Sequence, residues 1–123
     1  MSRRVSTSRT VVFLSHADAG ALRLAASCAL TAAAMGDRVD VFLFGPAVRA
    51  VVEAADDAGA AGVDDELAML LKARGSGCRL VACSASVVAE KVPLDEAERA
   101  LDAIVGWPTI VEWSRGVVDR FFF

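Results

Sequence analysis

The sequence predicts a three-layer α/β/α sandwich with a mainly parallel sheet, on three observations. Short runs of β-branched and aromatic residues recur at 10–14 (TVVFL), 38–44 (RVDVFLF) and 78–83 (CRLVAC). These runs are largely apolar, as expected of strands buried on both faces of a parallel sheet. Alanine-rich stretches of helical length lie between them, so strand and helix alternate as right-handed βαβ units require.

Residues 1–9 are polar and read as a flexible N-terminal tail; 10–123 read as one domain. After the first strand, SHADAG forms a loop in which Asp18 can cap a helix. That helix runs from Ala19 to Met35 and stops at Gly36, a C′ glycine. It is apolar nearly all round, so it is either deeply buried or covered by another subunit. The second strand ends at Gly45-Pro46, and a helix is expected over Ala47–Ala55. Asp56–Val63 is rich in Gly and Ala and reads as a flexible loop. A third helix follows over Asp64–Arg74, with Asp64 as N-cap and Gly75 as stop. After the CRLVAC strand come a short helix over Ser84–Ala89 and another over Asp95–Val105. Asp95 and Glu98 have capping-box spacing in that second helix. Trp107–Glu112 (WPTIVE) reads as a last strand and Trp113–Arg120 as a last helix. The three C-terminal phenylalanines, costly in water, are expected to dock onto the domain or a second subunit.

With 123 residues, 55% hydrophobic and 24% charged, the chain is long enough to bury a core without staples. A net charge of -3 argues against a nucleic-acid partner. Ser15, His16 and Asp18 interrupt the first apolar stretch, which is unlike a signal peptide. The alanine-rich helix carries Arg23 and is too short and weakly apolar to span a membrane. Three cysteines without a CxxC pair fit neither a disulfide framework nor a zinc site. The expectation is a soluble cytoplasmic protein with free thiols, no metal and no cofactor.

In such folds ligands gather at the carboxyl ends of the strands. The residues there are Ser15-His16, Gly45-Pro46, Cys83-Ser84 and, on this reading, Glu112-Trp113. Cys83 leads into a helix, where backbone N–H groups favour a thiolate, and Ser84 and Ser86 can add hydrogen bonds. The competing reading makes Cys83 a small buried hydrophobe. Cys78 lies at the other end of the same strand, about 16 Å away at strand rise, and cannot bridge to it. Cys28 reads as helix packing. His16, the one histidine, can serve Cys83 as a base if the first and third strands are neighbours; otherwise it is a solvated loop residue. SHADAG is neither GxGxxG nor a P-loop.

Four segments carry a family resemblance: VVFLSHADAG, MGDRVDVFLFG, GCRLVACSAS and PLDEAERALDAIVG. Their order, and a strand of the form G-(C/V)-x-(L/I)-x-x-C ahead of a short helix, resemble the DsrE-like (DsrEFH-like) family of sulfur-relay proteins over most of residues 10–120. The resemblance implies a small parallel-sheet domain assembled as a homo-oligomer, a trimer or hexamer. It also implies a sulfur carrier or sulfurtransferase subunit that accepts sulfane sulfur as a persulfide on Cys83, between donor and acceptor proteins. The alternatives are an oligomeric module binding a small anion or nucleotide at the same sheet edge, and a subunit whose value lies in its oligomer surface. A peroxide-reducing role is weaker, since no resolving cysteine lies within reach.

Overall fold

The computed structural model describes residues 8–56, 65–117 and 119–123. Five strands form one parallel sheet: β1 (Arg9–Leu14), β2 (Arg38–Leu43), β3 (Cys78–Cys83), β4 (Ala103–Val105) and β5 (Asp119–Phe122), in the order β4-β3-β2-β1-β5. The helices are α1 (Ala19–Ala34), α2 (Pro46–Asp56), α3 (Asp65–Ala73), α4 (Ser84–Ala89), α5 (Leu94–Ala100) and α6 (Trp107–Trp113). The α/β class and the parallel sheet are as the sequence predicts. The expected tail and the Gly/Ala-rich loop, with the Asp64 cap, lie largely outside the described residues.

The two faces of the sheet are covered unequally. On one face Val12, Leu14, Val39, Val41, Leu43 and Leu80 pack under α1, α2, α3 and α5 in the main core. The alanines of α1 bring that helix close: Ala25, Ala26 and Ala29 are fully buried. Asp18 caps α1 through its carboxylate, which accepts from Ala21 N at 3.1 Å. Gly36 takes φ +97° just beyond the helix end, a conformation with little cost only for glycine. On the other face a smaller cluster of Val11, Phe42, Val81 and Cys83 packs under Ile110 of α6.

The last third of the chain departs from the predicted elements. The helix predicted over Asp95–Val105 ends at Ala100. Leu101 is extended, and Asp102 docks on β3: its N–H donates to Leu80 O at 2.9 Å and its carboxylate accepts from Leu80 N at 2.8 Å. The β-branched Ile104 and Val105 then pair with β3 as an edge strand. Asp95 is not a cap, since the N-cap is Pro93 without a side-chain bond. The predicted strand at Trp107–Glu112 is helix α6, started by Gly106 as N-cap with Pro108 in the first turn. The predicted helix at Trp113–Arg120 gives way to a turn and then β5, with Phe121 and Phe122 in the strand. Tertiary position overrides local β-propensity here. Once 103–105 occupies the edge beside β3, the chain must cross the far face to reach the free side of β1.

One polar ladder crosses that far face. Asp40 on β2 accepts from Arg9 of β1 at 2.9 Å and from Arg79 of β3 at 2.8 and 3.2 Å. Arg79 in turn lies 4.3 Å from the ring centroid of Trp113. Asp40→Ala leaves two half-exposed guanidiniums without their shared anion. It is expected to lower stability by about 1–2 kcal/mol in urea unfolding, the cost of a half-exposed charged hydrogen-bond pair.

Candidate functional site

Parallel strands deliver their carboxyl ends to one edge, and the structure places Ser15, His16, Gly45, Cys83, Ser84 and Ser86 there. Ser15 and His16 follow β1, Gly45 follows β2 and Ser84 and Ser86 follow β3, with Cys83 its last residue. The fourth position is not Glu112-Trp113, which lies in α6 across the far face, but Gly106-Trp107 after β4. A chain-order argument could not find Trp107, because it depended on the segment misread as a strand.

The edge is knitted mainly by its own groups. Gly45 N donates to Ser86 Oγ at 2.9 Å, tying the start of α2 to α4. Ser15 Oγ lies 3.3 Å from His16 Nδ1 and donates to Phe123 O at 3.2 Å. Phe44 and Trp107 stack at 5.1 Å across the edge. His16 does not meet Cys83: β2 stands between β1 and β3, leaving two strand spacings, about 10 Å, between the two strand ends.

Cys83 is 2% exposed. It occupies the N-cap of α4 but makes no side-chain cap hydrogen bond. Its alternation along β3 turns it to the face under α6, level with Val105 and beside Ile110. Of α6, Ile110 is the buried side chain, whereas Trp107 and Val111 are about half exposed. Cys83 therefore lies beneath the layer that α6 forms, in one cluster with Ile110 and half-buried Phe44, Val105 and Trp113. Glycines stand at both ends of that roof: Gly106 and Gly116, the latter at φ +71°. The Arg79–Trp113 contact holds its far end.

The other cysteines are elsewhere. Cys78 is buried at the opposite end of β3, where Sγ donates to Ala29 O at 3.6 Å. Burial, with Asp40 adding to it, pushes its thiol up to about 11. Cys28 is half-buried on α1, and burial raises it as well. All three are free thiols. Among the described residues no group of three or more His, Cys, Asp or Glu converges on a metal position, and no helix is long and apolar enough to cross a membrane.

A five-stranded parallel sheet covered by helices on both faces defines the class of protein, an α/β domain with its strand ends gathered at one edge. The DsrE/DsrF-like family model matches residues 9–116, and the chain belongs to that family. Similar solved structures include the ychN protein from E. coli, at 15% identity, with 95% of this chain and 100% of that one covered and a TM-score of 0.65. MTH1491 from Methanobacterium thermoautotrophicum, a protein of unknown function, is 22% identical over 92% of this chain and 98% of its own, with a TM-score of 0.65. BT1422 from Bacteroides thetaiotaomicron, also of unknown function, is 14% identical over 94% of each chain, with a TM-score of 0.64. These likenesses establish the fold. No curated protein matches the chain.

If the Trp113 contact holds the roof, Trp113→Ala should speed alkylation of Cys83 in the folded protein about fivefold, the factor that ~1 kcal/mol of cation–π and ring packing represents. Peptide mapping after timed alkylation reads this. Cys78 serves as the internal control: with a thiol near 11, it should stay unmodified in both proteins at pH 8.

Proposed function

We propose that the chain is a sulfur-relay subunit that carries sulfane sulfur as a persulfide on Cys83. The observation that carries this reading is the position of Cys83. In a chain of this family it is the cysteine at the carboxyl edge of the sheet, one residue from exposed Ser84. The Cys83 thiolate attacks the outer sulfur of a donor persulfide. A new S–S bond forms at Cys83, the donor's S–S bond breaks, and the donor leaves as a thiolate. An acceptor thiolate then takes the outer sulfur by the same exchange and frees Cys83. The oxidation level of the sulfur is passed along, so no oxidant is consumed. A reducing, cytoplasmic compartment suits this chemistry because it keeps all three thiols free.

The reading gives α6 a role. Both partners must reach a sulfur buried in the cluster that includes Ile110, so α6 lifts on its flanking glycines when donor or acceptor docks. The exposed faces of Trp107 and Val111 are where a docking protein can grip the helix.

Topology favours a different spot for the alternative, a module binding a small anion or nucleotide. The chain runs outward from β1 to β4 and then places β5 on the other side of β1. The switch point is thus between β1 and β5, at Ser15 and His16, where α/β folds open a ligand crevice. Yet one of the amides an anion would use there is engaged: the Asp18 carboxylate accepts from Ala21 N at the α1 N-terminus. An internal anion at that end weakens any case for a bound one.

The test is intact-mass analysis after exposure to a persulfide donor. Wild type should gain reducible sulfur and Cys83→Ser should not. Equal loading of both proteins would end the carrier reading. Thermal stabilisation by nucleotide or phosphate that survives Cys83→Ser and is lost in His16→Ala would favour the alternative.

A further inference from the structure

The edge of the sheet at β5 carries a feature that the sulfur reading does not use. Natural edge strands are blunted by charged side chains, above all lysine, by proline, bulges or a covering element, because their free N–H and C=O groups recruit other strands; β5 has Asp119 and Arg120 at its start, the Arg120 guanidinium folded back onto Ser114 O, and two phenylalanines after them. Residues 119–123 (DRFFF) contain neither lysine nor proline, and every residue of β5 is exposed. Phe121 is 41% and Phe122 71% exposed, on opposite faces of the sheet. Phe122 stacks flat on Phe13 at 4.7 Å and 7°, leaving its outer side bare. Beside Phe121 and Phe123 runs a groove of about 550 Å³, walled on one side by Leu24 and Cys28 of α1 and by Met35, which caps that helix. Leu24 and Met35 are themselves well exposed. The groove has a floor and one wall.

We infer that β5 is a self-pairing edge: two copies of this chain join β5 to β5 antiparallel about a twofold axis through Phe121, making one continuous ten-stranded sheet. The register follows from hydrogen-bond parity and charge. Phe123 N donates to Phe13 O at 2.7 Å and Phe123 O accepts from Ser15 N at 3.0 Å, so Phe123 turns its backbone inward to β1. Backbone direction alternates along a strand. Phe121 therefore also points inward, and Arg120 and Phe122 present free N–H and C=O groups outward.

An antiparallel twofold must pair outward residues with outward residues. Centring it on Arg120 would set that guanidinium against its own copy, and like charges directly opposite are destabilising. Centring it on Phe122 sets Phe121 opposite the partner's Phe123, whose ring is already packed against the main core. Centring it on Phe121 pairs Arg120 with the partner's Phe122 twice, using all the outward groups of both residues. It also brings the stem of Arg120, whose guanidinium donates to Ser114 O at 2.8 Å, alongside the bare side of the partner's Phe122 ring. On the other face Phe121 meets the partner's Phe121, which supplies the groove's missing wall. A second copy thus satisfies the strand edge, both exposed rings and the groove together. This pairing does not depend on the sulfur chemistry.

The test is cross-linking by register in a Cys28→Ala background. In the proposed pair, residue 121 faces its own copy in a non-hydrogen-bonded position, with Cα atoms about 4.5 Å apart, within disulfide range. Phe121→Cys should form a disulfide-linked dimer on mild oxidation with diamide, and Phe122→Cys should not. The double variant Arg120→Cys with Phe122→Cys should link again. Arg120→Pro, which removes an outward N–H and leaves the bonds to β1 intact, should halve the assembly mass in light scattering while circular dichroism is unchanged. Wild type at the single-chain mass at tens of micromolar, cross-linking of Phe122→Cys as fast as of Phe121→Cys, or an unchanged mass for folded Arg120→Pro would each overturn the proposal.

Discussion

The hydrogen-bonded ladder that holds β2 between β1 and β3 is the constraint on which the rest of the domain depends. Its residues are buried on both sides: Val41, Phe42 and Leu43 have no exposed surface. A parallel strand in that position needs cover on both faces, and its backbone groups must all be paired within the sheet. The same placement keeps His16 and Cys83 two strands apart. It also aligns Asp40 between Arg9 and Arg79, so this buried carboxylate has a partner on each neighbouring strand.

Asymmetry of the two layers follows from chain length. The helices that cover the main face come from the crossovers between β1, β2, β3 and β4. Only the crossover from β4 to β5 remains for the other face, and it amounts to seven helical residues. A layer that thin leaves Phe122 and Val111 bare, and Ile110 is the buried side chain of its helix. Few buried contacts hold such an element, and segments of that kind open at lower free energy than the core. Cys83, 2% exposed, lies beneath this thinner layer.

Much of the fold was legible in the residues. The strands at 10–14 and 78–83, the cap at Asp18, the stop at Gly36 and the short helix at Ser84–Ala89 all follow from local signals whose cause is local: β-branching, a capping carboxylate, a glycine with positive φ. The last third was not legible, because its signals conflict. WPTIVE is rich in β-branched and aromatic residues, yet Gly106 and Pro108 start a helix there. RFFF has no strand neighbour in sequence and becomes a strand by pairing with β1, more than a hundred residues earlier.

By itself, then, the sequence determined an alternating parallel α/β domain with Cys83 at the carboxyl edge, since hydrophobic periodicity and glycine stops report on local backbone choice. It also carried the family resemblance, through the strand ending at Cys83. Only the tertiary structure decided which strands are neighbours, that Cys83 turns inward beneath α6, and that the C-terminal phenylalanines form an open sheet edge. Those outcomes depend on strand order and register. A shift of one residue would turn each side chain to the opposite face, and neither order nor register is written in any short window of residues.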